Sequence, residues 1–277
     1  MQMASVPPPP TPGRAVRRLI LLLVKATRHK LLRRLWRKQT GLFHISNICI
    51  KTKRAGNLSE AYAMQFVGTH TSIPVPKVYY AFIHEGTSYI VMRHIKGKMA
   101  AAGWLSRSEE SKARIVEQLR GMITELRSVP PPEGTRVGSI DGGPLWDCRL
   151  PSRDYWGPYA TVREFHEALT DGIPWDSDCT KFPDLAELFA FYRQAEHELV
   201  LTHGDLSSLN ILVRGDTVVG IVDWETAGWF PAYWEYTTAK YVNPHNPFWA
   251  DPVDQFITPT PEEWKMETIR RKYFGDF

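Results

Sequence analysis

The segment Leu201-Thr-His-Gly-Asp-Leu-Ser-Ser-Leu-Asn210, followed at a short distance by Gly220-Ile-Val-Asp-Trp-Glu225, constrains this chain more than any other. An apolar strand end delivers His203, Gly204 and Asp205, and Asn210 comes five residues after Asp205. A second short strand, Val218 to Val222, then delivers Asp223. Each residue alone has an ordinary reading: an Asp after Gly is a common cap or turn, and Asn210 suits a turn before Ile211-Leu-Val213. The joint spacing, with an apolar strand ahead of each acid, argues for more. A carboxylate, an amide and a second carboxylate brought together by two adjacent strands suit the positioning of a hydroxyl and of a nucleotide-bound Mg²⁺.

Asp205, Asn210 and Asp223 stand at the spacing of the protein-kinase template. Asp205 is the candidate base that orients an acceptor hydroxyl and takes its proton. Asn210 and Asp223 are candidate Mg²⁺ ligands through hard oxygen atoms, with Glu225 close enough to reach a second metal or its water. His203 reads as a structural imidazole bonded to the loop that carries Asp205. Trp224, Trp229, Trp234 and Tyr236 follow; they either stack on an acceptor or pack in the core.

Upstream, residues 43–52 read as one strand ending at Lys51, and Ser59 is a candidate N-cap for a helix from Glu60 to about Gly68. A strand lysine paired to a helix glutamate fixes the ammonium on nucleotide phosphates, so Lys51 and Glu60 are the candidate pair, with Lys53 and Arg54 as nearby alternatives. Val78–Ile83 and Ser88–Met92 read as strands around the turn residues His84-Glu-Gly-Thr87. Met92 and the backbone of Arg93 to Ile95 then form a linker suited to an adenine edge. A helix from Ser106 or Ser108 through Leu126 carries Ile115, Leu119, Met122, Ile123 and Leu126 at helical spacing. Gly134–Asp154 reads as loop, and 162–169 and 185–198 read as helices.

Charge divides the chain. The first 59 residues hold 13 of the 34 Lys and Arg and none of the 30 Asp and Glu. The rest is therefore acidic, which fits a cationic acceptor and equally an acidic soluble surface. An acidic body without a recognised nucleic-acid module excludes nucleic acid as a partner. Within the arm, Pro7–Pro10 is expected to be extended and without fixed structure, and Arg17–Lys38 to be a helix. Its apolar run of six, Leu19 to Val24, is too short to span a bilayer. The arm has three readings: its leucine face packs on the body, it makes peripheral contact with an anionic membrane, or it is a mitochondrial presequence on an otherwise cytoplasmic protein. Cys49, Cys148 and Cys179 lack metal-site spacing and read as reduced thiols.

Together, Leu201–Val213 and Ile221–Glu225 resemble the aminoglycoside phosphotransferase and choline kinase branch of the kinase-like fold, and within it the fungal proteins bearing an aminoglycoside-phosphotransferase domain. Val75–Tyr79, Tyr89–Met92, Leu126–Pro130, Gly138–Gly143 and Trp229–Glu235 look similar too, so the resemblance covers roughly residues 43 to 240. It implies an α+β, two-lobed protein-kinase-like fold with a small, mainly β N-lobe and a larger, mainly helical C-lobe. On this chain that is an arm to residue 40, an N-lobe over 41–93 and a C-lobe over 94–277. It also implies ATP, Mg²⁺ and transfer of the γ-phosphoryl group to a hydroxylated small molecule. The base role falls on Asp205, the metal roles on Asn210 and Asp223, and phosphate anchoring on Lys51 with Glu60. Three departures stand out. No Gly-x-Gly-x-x-Gly precedes Lys51, Arg93 stands where the family has an acid, and little helix is expected beyond the Trp234 region to wall the acceptor side. They motivate the rival reading, a nucleotide-binding or scaffold module without turnover.

Overall fold

A computed structural model describes residues 7–28, 41–54, 56–147 and 155–275. Its first sheet has four antiparallel strands in the order β1 (Leu42–Ile45), β2 (Ile48–Lys53), β4 (Thr87–Arg93), β3 (Val78–His84). The single strand expected over 43–52 is thus a hairpin, turned at Ser46 and Asn47, where Ser46 takes a positive φ of 56°. Polar Ser-Asn between β-branched residues is a turn signal that the apolar run obscures. The β3–β4 turn puts both Glu85 and Gly86 at positive φ, the geometry that matches strand twist.

Strand alternation gives the sheet two faces. Cys49 packs into the main core, whereas Ile50 packs with Phe82, Tyr89 and Val91 on the opposite face. Lys51, two residues from Cys49, shares the core-side face. The far face is covered by helix α1 (Arg14–Arg28), through buried Ile20 and Val24. So the arm's apolar face does pack on the body, while Leu19 and Leu22 point outward at 56% and 64% exposure. The remainder of the expected 17–38 helix lies outside the described residues. Nor is the proline run without fixed structure: the Ala81 N–H of edge strand β3 donates to the Pro10 carbonyl at 2.8 Å. A proline segment has carbonyls but no N–H groups, so it can terminate a sheet edge without extending it.

Helix α2 (Ser59–His70) links β2 to β3. Ser59 does not cap it; Leu58 occupies the N-cap, and the Ser59 hydroxyl donates to Asp141 Oδ2 at 3.0 Å. The second, larger unit is built on α3 (Glu109–Ser128), where Ser108 is the N-cap and accepts from the Ser111 N–H at 3.3 Å. Ile115, Leu119, Ile123 and Leu126 are buried as the spacing predicts, with Met122 half-buried. Two three-stranded sheets follow. One is β6 (Gly138–Ser139), β10 (Gly228–Pro231), β7 (Leu199–Thr202); the other is β5 (Lys98–Met99), β8 (Ile211–Arg214), β9 (Thr217–Ile221). Around them lie α4 (Val162–Leu169), α5 (Pro183–Gln194), α6 (Trp234–Lys240), α7 (Ala250–Phe256) and α8 (Pro261–Phe274). The expected 185–198 helix stops at Gln194 because the chain must turn into β7; the Glu198 carbonyl already accepts from Ala232 N–H. The expected loop at 134–154 contains β6, and its residues 148–154, including Cys148, lie outside the described residues. Cys49 and Cys179 are free thiols.

Candidate active site

β7 ends at Thr202 and releases His203-Gly204-Asp205. Gly204 sits at φ +81°, and a Cβ there would lie 2.8 Å from the Thr226 carbonyl oxygen, so only glycine fits. The freed backbone N–H groups of His203 and Gly204 donate to the carboxylate of Glu235 at 2.6 and 3.0 Å. Glu235 is 1% exposed, and burial pushes its pKa up, against the pull of those two N–H groups and of Arg127. The His203 ring accepts the Asp205 N–H on Nδ1 at 3.1 Å and donates from Nε2 to the Val222 carbonyl at 3.0 Å. With Nδ1 accepting, Nε2 is the ring donor, and the ring stands edge-on to Trp224. His203 thus holds the Asp205 loop to the segment that carries Asp223.

The delivery differs from the expected pair of adjacent strands. β7 and β9 belong to different sheets, and His203 together with Asn210 joins their ends. Asn210 Nδ2 donates to the Asp205 carbonyl at 2.9 Å and to Asp205 Oδ2 at 2.8 Å, while its own carbonyl accepts from Val222 N–H. With its NH₂ group so engaged, the amide keeps Oδ1 as its cation-binding atom. Asp223 has a positive φ of 68°, a strained conformation that aspartate tolerates better than most residues.

On the facing sheet, Lys51 Nζ donates to Glu60 Oε1 at 2.9 Å, Asp223 Oδ1 at 2.5 Å and Glu225 Oε2 at 3.2 Å. Of the three basic candidates Lys51 is the one that reaches Glu60; Lys53 bonds Glu225 at 3.1 Å. Burial alone would lower the Lys51 pKa, but Glu60, Asp223 and Glu225 outweigh it and hold the ammonium charged. Burial pushes the Glu60 carboxyl up to about 7, against the attraction of Lys51. Oxygens of Glu60, Asp223 and Glu225 lie within 4.8 Å of one another. A set of hard oxygen donors that includes Asn210 Oδ1 fits Mg²⁺.

Two cavities flank these groups. The first, of 580 Å³, is lined by Lys51, Glu60, Met92, Arg93, Ile95, Asn210 and Asp223. The N–H groups of Arg93 and His94 already donate to the Lys77 and Asn47 carbonyls, which leaves Ile95 N–H and the linker carbonyls to meet a base edge. The second cavity, of 330 Å³, is lined by Asp205, Asn210, Asp223, Thr238, Tyr241 and Trp249 among others. Asn210 and Asp223 line both. The second cavity is walled after all, by the stretch from α6 to Trp249. Of the two readings for Trp224, Trp229, Trp234 and Tyr236, packing in the core is the one found: all four are buried. Sequence reasoning missed Glu235, Tyr241 and Trp249. A lone acid between Trp234 and Tyr236 was the available signal for Glu235, since a charge in an aromatic run must be buried with a partner.

A model of the phosphotransferase enzyme family matches residues 51–265. Among curated proteins, the chain is 30% identical over 158 residues to an aminoglycoside 3'-phosphotransferase of Enterococcus faecalis, covering 56% of this chain and 54% of that protein. It is 29% identical, with the same coverage, to one of Staphylococcus aureus. The chain thus spans about half the length of the curated relatives it matches. Among solved structures, the aminoglycoside-3'-phosphotransferase of type VIII aligns with a TM-score of 0.53 at 18% identity, over 88% of this chain and 97% of that one. The gentamicin–APH(2")-IIa complex aligns with 0.54 at 12% identity, over 95% and 87%. These likenesses show the two-lobed kinase-like fold. With the family model spanning most of its length, the chain belongs to the aminoglycoside phosphotransferase family.

Proposed function

We propose that the protein transfers the γ-phosphoryl group of ATP to a hydroxyl of a small molecule. One observation carries the reading: Asn210 and Asp223 form the shared wall of two cavities, with Lys51 on one side and Asp205 on the other. The larger cavity takes the nucleotide, against Met92, Arg93 and Ile95. The Lys51 ammonium, held by Glu60, meets the phosphates. Asp205, steadied by Asn210, orients the acceptor hydroxyl and receives its proton as a new P–O bond forms and the bond to the ADP oxygen breaks. Mg²⁺ held by Asn210 and Asp223 would neutralise phosphate charge. Positioning and charge neutralisation supply the rate, with no covalent role for the protein. Relatives named as aminoglycoside phosphotransferases, and a neighbouring fold solved as a streptomycin–ATP complex, support this reading.

The lobe division at Arg93 belongs to the same proposal, supported by the first sheet ending there. No helix among the described residues is long and apolar enough to cross a membrane. Peripheral contact remains a second reading for the arm, favoured by the outward Leu19 and Leu22 beside Arg18 and Lys25. Equal pelleting with anionic liposomes by the full chain and a form lacking residues 1–40 would dispose of it.

The test of the main reading is ATP consumption against a panel of alcohols, with Asp205→Ala as control, beside melting shifts with Mg·ATP for the wild type and Asp223→Ala. Acceptor-dependent consumption lost in Asp205→Ala supports the enzyme. A Mg·ATP shift without any consumption supports the binding module. Equal consumption by wild type and Asp205→Ala refutes the role of Asp205.

A further inference from the structure

The cavity beside Asp205 carries a charge pattern that selects its occupant. Its described lining holds two carboxylates, Asp205 and Asp223, and both are engaged by the proposed transfer. The other polar groups are neutral: the hydroxyls of Ser207 and Thr238 and the amides of Asn243 and Asn246, with the rings of Tyr241 and Trp249 beside them. Two acids of the neighbouring helices are committed elsewhere. Asp254 accepts from Lys240 at 2.6 Å and from the Tyr236 hydroxyl at 3.0 Å. Glu267 is forked by Arg270 at 2.7 Å and reached by Arg271 at 2.9 Å. The Arg271 guanidinium also lies 3.8 Å from the centre of the Tyr241 ring, so one face of that wall already holds a cation.

A polycation entering this space would shed water from several ammonium groups and find, among the described lining residues, no carboxylate besides Asp205 and Asp223. An unpaired charge so placed costs far more than a hydroxyl in the same position. Hydroxyls both donate and accept, and so can Ser207 and Asn246 of the wall, while Thr238, whose hydroxyl donates to the Trp234 carbonyl at 2.9 Å, is left to accept and Asn243, whose Oδ1 accepts from His245 N–H, to donate. The cavity's 330 Å³ lies at the small end of ligand sites. We infer that the acceptor is a compact, uncharged polyhydroxy compound rather than a polyamino sugar. This rests on the phosphotransferase reading and goes against the cationic acceptor that net charge alone would suggest.

The test has two parts. A melting shift with Mg·AMP-PNP first establishes the nucleotide site. ATP consumption is then measured at physiological salt with glycerol, ribose, glucose and myo-inositol, and with gentamicin as the polycation. The expected result is a kcat/KM for at least one neutral compound that exceeds gentamicin's by about tenfold or more. The double variant Asn243→Asp/Asn246→Asp should move that ratio toward gentamicin by about the same factor, since it adds the carboxylates the wall lacks. Two results overturn the inference while leaving the nucleotide site standing: gentamicin as the better acceptor of the wild type, or no neutral compound raising consumption above water. Absence of any Mg·AMP-PNP shift overturns the phosphotransferase reading and the inference with it.

Discussion

Glu235→Gln probes the joint on which the geometry of the Asp205 loop depends. The wild-type carboxylate accepts two backbone N–H groups, from His203 and Gly204, inside a shell that leaves it 1% exposed. Glutamine keeps one acceptor oxygen and turns an NH₂ toward the other N–H. One buried donor is then left unpaired, at a cost of about 1–3 kcal/mol. Burial already disfavours the charged form of Glu235, so neutralising it returns part of that cost. The net loss should be about 1–2 kcal/mol, or about 2–8 °C of melting temperature for a chain of this size. Alanine removes both acceptors and opens a void, for about 3–5 kcal/mol. Because Lys51, Met92 and Ile95 of the proposed nucleotide cavity lie outside this loop, the rate should fall by about a hundredfold while most of the Mg·AMP-PNP melting increment persists. Thermal melting with and without the analogue, beside ATP-consumption kinetics, reads both effects. A Glu235→Gln protein that melts with the wild type and keeps its rate would refute the argument.

Three further outcomes follow from the packing. Gly204→Ala should destabilise by about 1–3 kcal/mol, seen in urea unfolding, because the new Cβ meets the Thr226 carbonyl at a left-handed φ. Ile20→Ala should lower stability by about 2–4 kcal/mol, whereas Leu19→Ser should leave unfolding unchanged, since Ile20 is 5% and Leu19 56% exposed. His166 governs an acid limb. Burial first, then the neighbouring His197, hold its pKa down to about 3 from 6.5. Its neutral form therefore contributes fully above pH 6.5, and that contribution is lost as pH falls below it, when the unfolded chain takes a proton that the folded one refuses. The slope is up to about 1.4 kcal/mol per pH unit. Melting temperature between pH 6.5 and 5 should fall less steeply in His166→Gln; parallel curves would remove His166 from the explanation.

The proposed catalytic pattern was legible because it is local: Asp205 and Asn210 are five residues apart and bonded to each other, and Asn210 and Asp223 flank the β8–β9 hairpin. The Lys51–Glu60 contact was legible for the same reason, although β2 runs on to Lys53 and Lys51 is not its last residue: a strand lysine is followed within a few residues by a helix start. The misread features depend on distant partners. Ser59 has the chemistry of a cap, but Asp141 draws its hydroxyl away. The run from Phe43 to Thr52 is apolar enough to pass for one strand because both halves of the hairpin are half-buried. The proline segment acquires its fixed place from the open edge of β3 and from Gln65, whose amide donates to the Pro7 carbonyl at 2.9 Å, and nothing near Pro10 announces either. The aromatics after Asp223 were split between core and acceptor wall, and tertiary packing assigned Trp224, Trp229, Trp234 and Tyr236 to the core while drawing Tyr241 and Trp249 to the cavity.

β2 serves two neighbours on opposite sides, and this limits how the chain can vary. Inserting or deleting a single residue between Cys49 and Lys51 would rotate everything beyond it by half a turn of the pleat. The ammonium would then lie beneath α1, and an apolar side chain would face Glu60 and Asp223. Length changes at the Ser46–Asn47 bend carry no such penalty, so that bend, and not the strand, is where this part of the molecule can grow or shrink.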